Sequence, residues 1–127
     1  MYYIPYMILK NQLTDQCKAK LIIEGVEVYF ERLPENGKWI IRAKIDYTSE
    51  ANSPSLSENI LSLDYVKIDS GYLKACPEDN YVILIQEMHD LFSFDFFKDA
   101  MQNYMSRYDF WKSVVEDMIK NEDVLFI

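Results

Sequence analysis

One histidine and two cysteines hold most of the nucleophilic and acid–base chemistry open to this 127-residue chain. His89 follows Glu87 at strand spacing and precedes Asp90, and an imidazole beside a carboxylate is the smallest pair that does general acid–base work. The same residues also read as the solvated end of a strand before a helix, which asks nothing further of the chain. A thiol–imidazole nucleophile needs Cys17 or Cys76 beside His89. Cys76 and His89 fall on one expected hairpin, but counting back from its turn leaves them out of register. Neither cysteine belongs to a CxxC pair, so both are expected as reduced thiols, with a lone Cys17–Cys76 disulfide as the alternative.

Metal and phosphate chemistry find little material. Zinc sites draw on clustered Cys and His, and these three residues are scattered. Glu78-Asp79 and Asp64 with Asp69 lack the calcium-loop pattern and read as turn and surface acids. Glu116-Asp117 and Glu122-Asp123 read as a solvated helix face and tail. Three glycines, Gly25, Gly37 and Gly71, are too few and too dispersed for a phosphate cradle. The expectation is a protein that is not an enzyme, with no metal and no cofactor.

Composition narrows the partners. Half of the residues are apolar and 15% are aromatic, which excludes disorder by composition. The length suits one domain over 1–127 with a core of its own. The formal net charge is -8, and nearly all of the excess acid lies in residues 64–127. Such a field repels a phosphate backbone and an anionic membrane surface, and it tolerates a basic or amphipathic protein segment. The N-terminal residues Met1 to Pro5 do not read as a signal peptide. No apolar run approaches the ~20 residues of a membrane helix. A soluble, cytoplasmic protein follows as the expectation.

The elements that position these side chains read as follows. Tyr2, Tyr6, Leu9 and Leu13 recur at helical spacing and predict a short helix over 5–13. Residues 19–23 predict a strand, ended by Gly25. Along 26–33, Val26, Val28 and Phe30 alternate with Glu27 and Glu31. Pro34-Glu35-Asn36-Gly37 is a turn signal. Along 38–47, Trp39, Ile41, Ala43, Ile45 and Tyr47 form one face, with Ile40 the apolar exception on the other. Ser55 and Glu58 make a capping box before a helix to about 63. Residues 71–76 and 81–88 predict a second hairpin across Pro77 to Asn80, and apolar residues on both sides of 81–85 predict a strand covered on both faces. Ser93 caps a long helix to about 119, whose stripe is Phe97, Met101, Tyr104, Tyr108, Trp111, Val115 and Met118. The fold class is α+β, an antiparallel sheet with helices in the order α-βββ-α-ββ-α.

This order, the short helix Ser57 to Leu63, the hairpin Gly71-Tyr72-Leu73 with Tyr81 to Ile85, and the closing helix 94–118 with Trp111 near its end resemble the class I type III secretion chaperones of the Tir-chaperone type. The resemblance covers nearly the whole chain by pattern. The first helix, at 5–13, is shorter than the family's usual one. The family implies a small acidic cytoplasmic chaperone, homodimeric, that binds the N-terminal segment of a secreted effector in extended form and keeps it secretion-competent. It implies effector-binding residues at Tyr6, Leu9, Val28, Phe30 and Ile41, some of them partly exposed in the free chain. It also implies a dimer contact at Leu56, Ile60, Leu61, Tyr72, Leu73 and Ala75. The alternative is another protein-binding module, such as an immunity protein whose acidic charge meets a basic toxin.

Overall fold

Tyr6, Leu9 and Leu13, three and four residues apart, are all buried and turn one stripe of helix α1 (Tyr3–Gln16) inward. The computed structural model describes residues 3–48, 54–68, 71–88 and 93–124. Helix α1 has 14 residues, longer than the expected 5–13 at both ends. Its last turn, Thr14 to Gln16, carries polar side chains that leave no apolar periodicity to read. Cys17, at φ 62°, turns the chain out of the helix and into β1 (Lys18–Ile23).

Strand β1 pairs antiparallel with β2 (Val26–Arg32) across Glu24 and Gly25. Both turn residues have positive φ, 52° and 80°, the conformation that a two-residue hairpin turn demands. Strand β2 pairs with β3 (Trp39–Asp46) across the turn at 33–38. There the Leu33 N–H donates to the Lys38 carbonyl at 2.8 Å and Gly37 takes φ 70°.

Helix α2 (Pro54–Leu61) opens on Pro54, so Ser55 lies inside the first turn and not ahead of it. The capping box is therefore corrected: proline's fixed φ suits the first helical position and starts the helix there. A short strand β4 (Lys67–Ile68), not foreseen, precedes β5 (Gly71–Cys76) and β6 (Tyr81–Met88). The β5–β6 link is a single 3-10 turn, Pro77–Asp79, closed by Asn80 at φ 59°. Helix α3 (Phe94–Val124) ends the described chain, and the Phe97 N–H donates to the Ser93 carbonyl at its start.

The six strands form one antiparallel sheet in the order β1-β2-β3-β6-β5-β4. The expected fold class and the order α-βββ-α-ββ-α are observed, with β4 added. Val28, Phe30, Trp39, Ile41, Ala43, Ile45, Leu73, Val82 and Leu84 face the three helices and meet the α3 stripe Phe97, Met101, Tyr104, Tyr108 and Val115. Among the described residues, Gln86 is the polar side chain that is buried. The Tyr104 hydroxyl donates to the Leu84 carbonyl at 2.7 Å, and burial holds its pKa far above the usual tyrosine range. No described helix is long and apolar enough to cross a membrane.

Candidate protein-binding surfaces

The chemically versatile residues do not converge among the described ones. His89 and Asp90 lie outside the described residues. Glu87 forms an ion pair with Lys38 at 3.8 Å. Cys17 and Cys76 are free thiols, both half-buried. Cys76 stands opposite Tyr81 in the β5–β6 register, and its thiol raises the Tyr81 pKa. Among the described residues no three His, Cys, Asp or Glu side chains sit close enough to hold a metal ion.

The residues assigned to effector binding are brought together, but inside. Tyr6, Leu9, Val28, Phe30 and Ile41 are all core, from 0 to 3% exposed. The Tyr6 ring lies 4.9 Å from that of Phe97 and 5.8 Å from that of Phe94, and Phe30 meets Trp39 edge to face at 6.5 Å. The expectation that some of this set is exposed is corrected, because α1 and α3 close over the apolar face of the hairpin. The set assigned to the dimer contact divides. Leu56, Ile60 and Leu73 are core, Tyr72 and Ala75 are half-buried, and Leu61 is 49% exposed. Tyr72 also points to the opposite side of the sheet from Leu73 and Ala75. Strand alternation, already legible in the sequence, carries that signal.

What the chain does present is the other face of the sheet and one of its edges. The two edges differ. The outer edge of β5 is filled by the segment before it. The Leu73 N–H donates to the Val66 carbonyl at 3.0 Å, and the Leu73 carbonyl accepts from the Tyr65 N–H at 2.7 Å. The Ala75 N–H donates to a carboxylate oxygen of Asp64 at 2.9 Å. Tyr65 takes φ 61° to make this fit, and its ring stacks on Tyr72 at 5.7 Å.

Strand β1 has no such cover. The Arg32 N–H donates to the Cys17 carbonyl at 2.9 Å, so in the antiparallel register Ala19, Leu21 and Ile23 carry the bonds to β2. The N–H and C=O groups of Lys18, Lys20 and Ile22 therefore point away from the sheet, and no described residue takes them up. Ile22 is 68% exposed on this edge.

The open face reads in rows across the strands. One row runs Lys20, Tyr29, Arg42, Ile85, Tyr72 and Lys67, and the next sets Lys44 opposite Ile83 and Ile83 opposite Lys74. No element of the described chain lies over it, so β6 is covered by helices on one face only. Of the two aliphatic residues of β6 on this face, Ile85 is only 8% exposed and Ile83 is half-buried, so the expected cover on both faces is not supplied there by a described helix. Tyr29, Arg42, Ala43, Lys44 and Ile83 line a shallow cavity of about 230 Å³. Of the acids here, Glu27 is engaged with Lys20 at 3.6 Å and with the Tyr29 hydroxyl, Glu31 with Arg42 at 3.0 Å and Glu87 with Lys38, while Asp46 lies opposite Tyr81. The Glu27 hydrogen bond raises the Tyr29 pKa.

At one end the sheet is split. Pairing of β2 with β3 stops at Tyr29–Arg42, although both strands run on. The Lys44 carbonyl, next in line for β2, accepts instead from the Tyr108 hydroxyl at 2.8 Å. Burial and the nearby carboxylate of Asp46 raise the Tyr108 pKa. A polar cleft of about 530 Å³ opens there, between the β1–β2 turn and Lys44, Asp46, Tyr108 and Lys112. Such surfaces are equipped to hold a segment of another protein by main-chain hydrogen bonds and apolar contact. Comparison with protein-family models, curated proteins and solved structures returns no match.

Proposed function

We propose that this chain is a cytoplasmic chaperone that takes the N-terminal segment of a type III secreted effector in extended form, acts as a homodimer and uses no cofactor. One observation carries the reading: of the two sheet edges, β5 is closed by its own chain and β1 is left open. An open edge is a template for an added strand. Lys18 and Lys20 on β1 disfavour pairing with the same strand of a second copy, which brings like charges, and leave a foreign strand admissible. The extended segment gains main-chain bonds along Lys18, Lys20 and Ile22 and an apolar contact at Ile22. Such contacts offset the entropy of ordering a segment without a fold of its own. For the homodimer, Leu61 is the exposed residue of the expected contact set.

The test uses proline. Lys20→Pro removes an outward N–H and leaves the β1–β2 ladder intact, whereas Leu21→Pro removes a ladder bond. The chain is co-purified with the N-terminal segment of a secreted protein encoded beside it. Lys20→Pro is expected to lose the complex while circular dichroism stays unchanged. Undiminished co-purification would refute the edge reading. A neighbouring nuclease or pore-forming toxin as the bound protein would establish the immunity alternative in its place.

A further inference from the structure

We infer that the open face of the sheet is a second docking surface, for an acidic protein segment with large apolar residues at its centre. Ile83 and Ile85 on β6 lie on this face with no helix of the described chain above them; Ile83 is half-buried and lines the cavity of about 230 Å³, and Ile85, 8% exposed, forms the floor beside it. Arg42 and Lys44 flank them on β3. Lys74 lies opposite Ile83 on β5, and Lys67 lies one strand further out in the Ile85 row. Two aliphatic side chains are thus bracketed by four cations, in a chain whose net charge is -8.

Two of those cations are already engaged. Arg42 is held by Glu31 at 3.0 Å, and the Lys44 ammonium lies 4.5 Å from the centre of the Tyr81 ring. Lys67 and Lys74 are both exposed and form no ion pair with a described residue. Adjacent strands lie ~4.8 Å apart, so Lys44 and Lys74 stand roughly 10 Å apart astride Ile83. An apolar side chain seated on Ile83 therefore has a cation on each side, within reach of carboxylates that flank it in its own sequence. Charge complementarity of this kind selects an acidic partner and rejects a basic one. Basic segments, which the chain's overall charge favours at long range, are excluded from this face at contact.

The experiment titrates isotope-labelled full-length protein with a short peptide carrying a Leu-Leu pair between paired glutamates. The same peptide with lysine for glutamate is the control. Amide shifts are expected at Ile83, Ile85 and along β5 with the acidic peptide only. Lys67→Glu with Lys74→Glu, both exposed positions that leave the core intact, is expected to weaken binding about tenfold. Equal binding of the lysine peptide, or shifts confined to other surfaces, would overturn the assignment. So would concentration-dependent shifts of Ile83 and Ile85 in the protein alone, since the face would then serve a second copy of the chain. Lys20→Pro removes only the cation at the far end of the Ile85 row, three strands from Ile85, and leaves Ile83, Lys67 and Lys74 in place, so the β1 edge and this surface fail or stand separately.

Discussion

Replacing Leu9 with alanine decides whether helix α1 is anchored or available. The Leu9 side chain is 0% exposed, between the sheet and its helical neighbours. Truncation removes three carbons, roughly 2.4 kcal/mol of transfer free energy at about 0.8 per methylene. The unfilled space adds a cavity term, which brings the cost to about 3–4 kcal/mol. Against a total stability of about 5–15 kcal/mol this is a large fraction. With an unfolding entropy near 2.1 cal/mol/K per residue, 3 kcal/mol lowers the melting temperature of a 127-residue chain by about 11 °C. Ile8→Ala is the control. Ile8 is 51% exposed on the same helix, and its truncation should cost about 0.5 kcal/mol or less. Thermal and urea unfolding followed by circular dichroism measure both. Equal shifts for the two variants would refute the packing described for α1, and Leu9 would then be free to meet a partner. The packing also sets what a harsher change can report. Tyr6→Asp with Leu9→Asp places two carboxylates in the core and is expected to unfold the chain, so it cannot separate binding from stability.

The alkaline limb of the stability profile should carry the mark of Tyr104. The folded state holds this proton after an unfolded tyrosine has lost its own, so the contribution is level below pH ~10. Above it, stability falls by up to about 1.4 kcal/mol per pH unit. Tyr104→Phe should flatten that slope and cost about 1–2 kcal/mol at neutral pH, read from urea midpoints at several pH values. Gly71→Ala drives a methyl group into the Ile85 carbonyl oxygen and to 2.9 Å from the Gln86 Cα, and should cost about 1–3 kcal/mol or more; a neutral result would contradict the β5–β6 register. Light scattering of the native chain at micromolar concentration should give about twice 15.1 kDa, and Leu61→Asp should return it to the single-chain mass. A native monomer would count against the dimer.

The β2–β3 hairpin was legible because Trp39, Ile41, Ala43, Ile45 and Tyr47 alternate without interruption between turn residues that fix the register. The α3 stripe was legible for the same reason at helical spacing. What periodicity does not report is the identity of the covering partner. Val28, Phe30 and Ile41 share a face in any reading, but only the arrival of α1 and α3 decides that the chain itself buries them. Strand β4 left no signal because it has two residues and depends on Tyr65 at positive φ and on the Asp64 carboxylate, neither of which announces a strand. The apolar residues on both sides of β6 are plain in the sequence, but no described helix supplies the second cover, and that face is the proposed docking surface. The open β1 edge was invisible, since strand order is a property of the assembled sheet.

The early end of β2–β3 pairing bears on how the molecule opens. Strands β3 and β6 share eight residue pairs, whereas β2 meets β3 in four. The N-terminal unit of α1, β1 and β2 is therefore stitched to the sheet along a seam half as long as that between β3 and β6, with a tyrosine hydroxyl in place of the next main-chain bond. Cooperative units that share little hydrogen bonding part at lower free energy than the whole. Amide protons of β1 and β2 should thus exchange through a sub-global opening, ahead of those in β3 and β6. That opening uncovers Val28, Phe30 and Ile41 together, so the apolar set sealed in the ground state becomes reachable in a minor state of the same molecule.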